Sequence, residues 1–416
     1  MLHLSHQIPV KKKRLNILQL FPAEMQQRGE LLKGISRNIL LLGLVSFLND
    51  MSSEIIVPIL PLFIISLGGN EVIIGLIGGL RESLSSLLKV ASGYISDRTG
   101  KRKPFVAAGY SISGVFKLLL GFSTIWQHIL IFSSFERVGK GLRTAPRDAI
   151  IADSLPEKKG KGFGVHRTLD TLGAILGAVL AFIFLYYLGL NYKTILLIAA
   201  SLSILSLIPL IWVKEKRKKK TTTRFHLTIR NLPKSLRMFI LVAALFSLAN
   251  ISYMFFIRRA QLIFTGGSAI VMPVLLYVVF NIFYAAFAIP FGTLSDRFGR
   301  KKVLTSGYLL FSVVCLGFML LNDFPSFILL FAFYGIVYAV VDGNQRAFVS
   351  DLSNRNLRAT SLGAFHTTIG LTALPSGLIA GFLWDKLSYH APFLYASIMS
   401  IAAAISMLVL IKTGKS

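Results

Sequence analysis

Two carboxylic acids, Asp50 and Glu54, stand four residues apart beside Asn49, Ser52 and Ser53. On a helix they share one face, one turn apart, and such a pair can take up and release a proton or another cation. Further along, Glu136, Lys140, Arg143 and Arg147 fall at i, i+4, i+7 and i+11 and form one helical stripe, with Arg137 set off from Glu136 by about 100°. His166, Asp170, Gly173 and Gly177 repeat the same spacing. Asp and His side chains of this kind build proton relays, and Asp170 is suited to pair with the cations of the preceding stripe. The two glycines have a plainer reading as close-packing positions. In the second half of the chain Asp342, Gln345 and Arg346 share a face, and Asn250, Tyr253 and His366 add polar atoms. Arg258 and Arg259 lie near a helix end, where at least one is expected to snorkel. Arg81, Ser85 and Lys89 share a face whose direction the sequence leaves open, and Glu82 and Lys117 are similarly divided between a structural and a functional reading.

The setting is what makes these residues candidates. The chain has 416 residues, of which 54% are hydrophobic and 15% charged, and a mean hydropathy of +0.67. These are the proportions of a membrane protein rather than of two or three soluble domains. Forty-five Lys and Arg against eighteen Asp and Glu leave a formal charge of +27, which by itself would suit a nucleic-acid binder. The basic residues, however, sit in short clusters between apolar runs, where they meet anionic lipid headgroups instead of forming one phosphate-reading surface. The single Cys315 lies inside an apolar run, so neither a disulfide framework nor a cysteine metal site is expected.

A membrane helix needs about 20 apolar residues. Twelve stretches qualify, beginning near Ile39, Val72, Pro104, Ile125, Gly160, Thr194, Met238, Ile270, Val303, Ser326, Ala359 and Ala391. Alternate loops carry the positive charge: Arg98 with Lys101 to Lys103; Lys158, Lys159 and Lys161; the run from Lys214 to Arg237; Arg297 with Arg300 to Lys302; and Arg355 with Arg358. The opposite loops hold only Lys193 and Lys386. The positive-inside rule puts the first set and both termini in the cytoplasm. The expected organisation is a basic cytoplasmic tail over 1–37, a six-helix bundle over 38–213, a basic linker over 214–237, a second bundle over 238–411 and a short tail over 412–416. Lys11 to Arg14 followed by Leu15, Ile17 and Leu18 leaves the tail open between an interfacial helix and a solvated segment. An ionisable group at the bilayer centre costs roughly 2.5–3.5 kcal/mol on insertion scales, so each must face a partner or a water-filled cavity.

The second apolar stretch ends Gly93-Tyr-Ile-Ser-Asp97-Arg98-Thr-Gly100-Lys-Arg-Lys, and the eighth ends Gly292-Thr-Leu-Ser-Asp296-Arg297-Phe-Gly299-Arg-Lys-Lys. Asp296 follows Asp97 by 199 residues, as Arg346 follows Arg147 and Gly363 follows Gly164. Two duplicated six-helix halves are the economical reading. Gly93 and Gly292 permit close helix contact, Gly100 and Gly299 permit a tight turn, and Asp97 or Asp296 can accept hydrogen bonds from a helix N-terminus across the bundle interface. A plainer reading makes them ordinary turns with topology-setting charges.

This doubled motif resembles the signature of the major facilitator superfamily, and the resemblance runs from Arg37 onward. It implies an all-α membrane protein of twelve transmembrane helices in two pseudo-symmetric six-helix bundles around a central cavity exposed alternately to each side. It also implies a conformational latch at Gly93, Asp97, Arg98, Gly100 and at Gly292, Asp296, Arg297, Gly299. Arg137-Val-Gly-Lys140-Gly141 resembles the fourth-helix motif of proton-coupled members, with Lys140 in place of the usual glutamine. That resemblance links Arg137 to proton transfer. Pro58-Ile-Leu-Pro61 looks like the first-helix element of twelve-helix drug:proton antiporters, whereas their fifth-helix glycine-proline motif is degenerate, with Ala178, Ala181 and Phe182 at its positions.

The expected function is secondary active transport of a small molecule by alternating access, proton-coupled and in the direction of efflux antiport. Coupling is expected in the first half, through Asp50, Glu54, Arg137 and Asp170, with Glu136, Lys140, Arg143, Arg147 and His166 as further cavity or coupling residues. Asn250, Tyr253, Asp342, Gln345, Arg346 and His366 are expected to line the cavity from the second half. The alternatives are a proton-coupled importer of an anionic metabolite and, in another class, a transport-inactive receptor or lipid translocator. No phosphate-binding loop, zinc-spaced histidines or nucleophile elbow is present in the sequence, so no enzyme, metal or cofactor is expected. The expected partners are a small-molecule substrate, protons and membrane lipids, without nucleic acid. The family resemblance favours a monomer in the cell membrane.

Overall fold

The computed structural model describes residues 35–155, 159–215, 232–354 and 357–411. Most of the basic tail, the linker over 216–231, Lys158, Arg355 and the tail over 412–416 lie outside the described residues. Within them the chain is helical and without strands. The first half comprises α1 (Arg37–Ile56) continued by α2 (Leu60–Ser66), α3 (Glu71–Thr99), α4 (Lys103–Gly121), α5 (Trp126–Ser154), α6 (Lys159–Tyr186), and α7 (Tyr192–Leu205) continued by α8 (Leu207–Ile211). The second comprises α9 (Lys234–Ala249) continued by α10 (Tyr253–Gln261), α11 (Ser268–Phe298), α12 (Arg300–Leu320), α13 (Phe324–Asp351), α14 (Arg358–Lys386) and α15 (His390–Leu410). Each of the twelve expected spans is thus one helix, or two separated by a bend.

The bends and ends have local causes. Pro58 lacks an N–H and ends α1, while Ser252 accepts the Met254 N–H to start α10 after the break at Asn250. Asn70, Asn191 and Asp323 cap α3, α7 and α13 through their side chains. Gly100 and Gly299 take φ values of 67° and 90°, so the two repeated turns depend on a residue without Cβ.

Ten of the spans are long and apolar enough to cross a membrane unaided. The other two are α3 and α5, which carry most of the intramembrane charge. Their charged faces are turned to neighbouring helices: α5 packs between α3 and α4, and α3 packs against α5 on one side and α14 of the other bundle on the other. Glycines set these approaches. A Cβ on Gly173 or Gly177 of α6 would lie 2.3 Å from the Phe47 or Met51 carbonyl of α1, the close packing expected for that pair. Between bundles, Gly75 and Gly377 face each other so closely that a Cβ on either would meet the other's carbonyl oxygen at 2.0–2.2 Å. The paired sequences are Gly75-Leu-Ile-Gly-Gly79 and Gly377-Leu-Ile-Ala-Gly381, two small-residue motifs that bring backbones together in a membrane.

Candidate functional site: a polar cavity between the bundles

A cavity of about 490 Å³ lies between the halves. Asp50 and Glu54 reach it from α1, Arg137 and Lys140 from α5, and Asp170 from α6. All six candidates of the second half, Asn250, Tyr253, Asp342, Gln345, Arg346 and His366, line it as well. Groups distant in sequence are joined across it. Asp50 lies beside Asp170; Arg167 holds Asp170 at 3.0 Å and donates at 3.0 Å to the Tyr284 hydroxyl of the other bundle. Tyr284 donates to Asp342 at 3.1 Å, and Arg346 closes the series on Asp342 at 2.5 Å. A second tie runs from the Tyr277 hydroxyl to Glu54 at 2.8 Å. Asp170 thus makes its direct ion pair with Arg167 of its own helix, while Arg147 and Lys140 of the α5 stripe lie close enough for their charges to act on it.

That stripe divides. Only Arg137 and Lys140 look into the cavity. Glu136 is buried in ion pairs with Arg81 at 3.5 Å and Arg137 at 3.1 Å. Arg143 donates to Ser113 at 2.6 Å and lies over the Tyr110 ring. Arg147 donates to Ser46 at 2.9 Å, and Ser46 also bonds His166 at 2.9 Å. Glu136, Arg143, Arg147 and His166 thus form a polar interior behind the cavity wall. One face of one helix meets α3, α4, α1 and open space in turn, and the long side chains follow whichever partner is nearest. Lys117, left undecided by the sequence, is fully buried and donates to the Asn49 carbonyl, Asn49 Oδ1, Ser52 and Ser53 at 2.9–3.3 Å. It clamps the turn of α1 that carries Asp50 and Glu54.

The cavity is closed at one end. There Arg258 pairs with Glu71 of the other bundle at 2.8 Å, and Asp385 accepts the Val72 N–H at 3.3 Å, alongside the Gly75–Gly377 seam. Arg259 is buried, donating to the Phe318 and Leu321 carbonyls and to Asn322. Both arginines are thus engaged by protein groups. Towards the basic loops the cavity opens: the Arg167, Asp342 and Arg346 side chains are 56%, 43% and 40% exposed.

At this open end the two acids of the repeated motif pair within their own bundles. Asp97 pairs with Arg102 at 2.7 Å, and Arg102 also holds Asp153; Asp296 pairs with Arg300 at 2.9 Å, and Arg300 with Asp351. Each acid thus binds an arginine at the start of the next helix in its own bundle, while Arg98 and Arg297 are exposed. Gly93 approaches Ala145 of its own bundle, and nothing lies near Gly292.

The two walls differ in kind. The first bundle supplies the charged residues named above, with Glu82 and Arg167, and among the described residues no aromatic ring. The second supplies Phe246, Tyr253, Tyr277, Phe280, Tyr284, Tyr338 and Phe365. Tyr277, Tyr284, Tyr338 and Arg167 escaped the sequence reading because aromatic and basic residues are common throughout this chain and nothing in their spacing marks them.

Two six-helix bundles around one polar cavity, sealed on one side and open on the other, form the body of a membrane carrier. The sequence matches the Major Facilitator Superfamily over residues 42–274 and 265–416. It is 53% identical over 388 residues to an uncharacterized MFS-type transporter of Methanocaldococcus jannaschii, covering 92% of this chain and 97% of that one. The chain belongs to the Major Facilitator Superfamily and is a multi-pass membrane transporter of that kind. A shorter likeness, 30% identity over 132 residues, links it to the multidrug resistance protein MdtH of Shigella dysenteriae, covering 30% of this chain and 31% of that protein. Among solved structures, the nucleoside transporter NupG superposes with a TM-score of 0.75 at 16% identity, covering 91% of this chain and 100% of that one. A POT family transporter in complex with 5-aminolevulinic acid gives 0.74 at 14%, covering 91% and 96%. At these identities the structures speak to fold alone.

Proposed function

We propose that this protein is a proton-coupled secondary transporter of a small molecule, working by alternating access with Asp50, Glu54 and Asp170 as its proton-carrying acids. The observation that carries the reading is the juxtaposition of Asp50 and Asp170 in the cavity, tied through Arg167 and Tyr284 to Asp342 of the opposite bundle. Two carboxyls held side by side away from bulk water readily share one proton. Its gain or loss changes the charge that Arg167 must balance, and with it the tie between bundles. In the membrane the basic loops and both termini face the cytoplasm, and the protein acts as a monomer. Separation of the acids at Asp97 and Asp296 from the opposite bundle belongs to the cytoplasm-open state, and the latch re-forms when that end closes.

Antiport is the direction suggested by Pro58-Ile-Leu-Pro61 and by the partial likeness to MdtH. One observation favours the second reading, co-transport of an anion with the proton. Lys140 and Arg137 face the cavity, and protonating a neighbouring acid strengthens their hold on an anion, so proton and anion favour each other's binding.

The test is proton movement in liposomes containing the purified protein, followed with an entrapped pH dye as candidate substrates are added under an imposed gradient. Substrate-dependent proton flux is expected, and Asp50→Asn and Asp170→Asn should abolish it while remaining folded. Undiminished proton-coupled flux in both variants overturns the assignment. Substrate binding without any ion movement would instead fit a receptor, and movement of labelled lipid a translocator.

A further inference from the structure

We infer that the substrate is an aromatic organic anion, its ring seated on the tyrosine wall of the second bundle and its carboxylate held by Lys140 and Arg137 of the first. This rests on the reading of the cavity as the transport site.

Among the described residues, Arg137 and Lys140 are lining cations with nitrogens that no lining acid binds. Of the acids lining the cavity, Asp170 is held by Arg167, Asp342 by Arg346 and the Tyr284 hydroxyl, and Glu54 by the Tyr277 hydroxyl. Asp50 lies against Asp170, and Glu82 accepts from Ser86. Among the cations, Arg167 and Arg346 are engaged by those acids. Arg137 is paired through its Nε with Glu136, and its two terminal amino groups have no acceptor among the described residues. Lys140 makes no hydrogen bond or ion pair among the described residues. A planar guanidinium end beside a free ammonium is a built receptor for a carboxylate.

The ring follows from the opposite wall. Tyr253 and Tyr277 have centroids 6.1 Å apart, Tyr277 and Phe280 5.4 Å, and Phe280 and Tyr338 5.3 Å, giving a continuous surface on which a flat group can stack or pack edge to face. Tyr253 lies close enough to Arg137 for their charges to interact, so ring and carboxylate need only a short linker between them. The Tyr253 hydroxyl and Asn250 Oδ1 are buried without partners, and a buried polar atom normally finds one; a ring N–H or hydroxyl would satisfy them. The cavity's 490 Å³ falls within the roughly 300–1,000 Å³ of small-molecule sites.

The inference is tested by equilibrium binding of radiolabelled indole-3-acetate to the purified full-length protein in detergent. Tryptophan, tryptamine and cyclohexylacetate serve as competitors carrying, respectively, both charges, the opposite charge and a saturated ring. Saturable binding of indole-3-acetate is expected, with each competitor about tenfold or more weaker. Lys140→Gln should weaken it about tenfold or more, the usual effect of losing one charge-assisted hydrogen bond, while Lys140→Arg retains most of it; the melting temperature of each unliganded variant reports its folding. Equal competition by tryptamine, tryptophan or cyclohexylacetate overturns the inference. So does binding unchanged in a folded Lys140→Gln protein, or no saturable binding at millimolar concentration. Because the measurement needs neither membrane nor gradient, its failure leaves the proton-coupled reading standing. Loss of proton flux in Asp50→Asn with indole-3-acetate still bound would separate the two in the other direction.

Discussion

The two bundles descend from one pattern and have diverged at the cavity. Shifted by the repeat of 199 residues, Glu136, Arg137 and Lys140 correspond to Gly335, Ile336 and Ala339, Lys117 to Leu316, and Glu54 to Tyr253. The turns kept an acid–arginine pair but not its position: Asp97 holds Arg102, whereas Asp296 holds Arg300, one place earlier in the repeat. The first bundle buries charge against charge, whereas the second fills the equivalent space with glycine, aliphatic side chains and rings. Even the shared arginine differs. Arg147 is turned inward onto Ser46, while Arg346 faces the cavity beside Asp342. The turn keeps its glycine and its acid–arginine pair, whereas the cavity face has specialised, one wall for ions and the other for shape.

Breaking that contrast should produce effects of very different size. Glu136→Gln leaves Arg81 and Arg137 facing each other in a buried site, and removal of one member of a buried ionic group costs about 3–5 kcal/mol. A large fall in the unfolding midpoint in denaturant checks it. In the second bundle Asp342→Asn breaks an ion pair whose partners are 43% and 40% exposed, so the stability change should stay below about 1 kcal/mol while transport suffers. Equal destabilisation by the two variants would mean the walls do not differ as described.

The closed and open ends offer a second contrast. Gly75→Ala drives a Cβ into the Gly377 carbonyl and should cost about 1–3 kcal/mol by overpacking, also shifting the protein away from the state closed at that end. Thiol labelling of a cysteine introduced near Glu71 should rise accordingly. Gly292→Ala, with nothing near the added methyl, should stay within about 0.5 kcal/mol. A modest effect is also expected from Glu71→Gln, which removes the pair with Arg258 for about 1 kcal/mol or less. It should still raise thiol labelling at the closed end without moving the melting temperature appreciably.

Much of this was legible in advance. Asp50, Glu54, Asp170 and the six cavity residues of the second half could be picked out because a charge or amide in an apolar run must have somewhere polar to go. The same rule could not say where. It placed Arg143, Arg147 and His166 with the cavity residues, although their partners are Ser113, Tyr110 and Ser46 in the interior of the bundle. The inter-bundle seam was present as two small-residue motifs, but neither names its partner helix. Arg167 and Tyr284, which join the halves, carry no mark in spacing or composition.

The span count, the duplication and the glycine-dependent turns were fixed by the amino-acid order itself, since hydrophobic length, repeat offset and the need for positive φ are properties of neighbouring residues. Which charges look into water and which are sealed behind the wall was decided only in three dimensions. Glu136 and Lys140 stand one turn apart on the same face, yet one is enclosed by Arg81 and the other meets open space. Their surroundings come from helices distant in the chain, and electrostatics answers to distance through space.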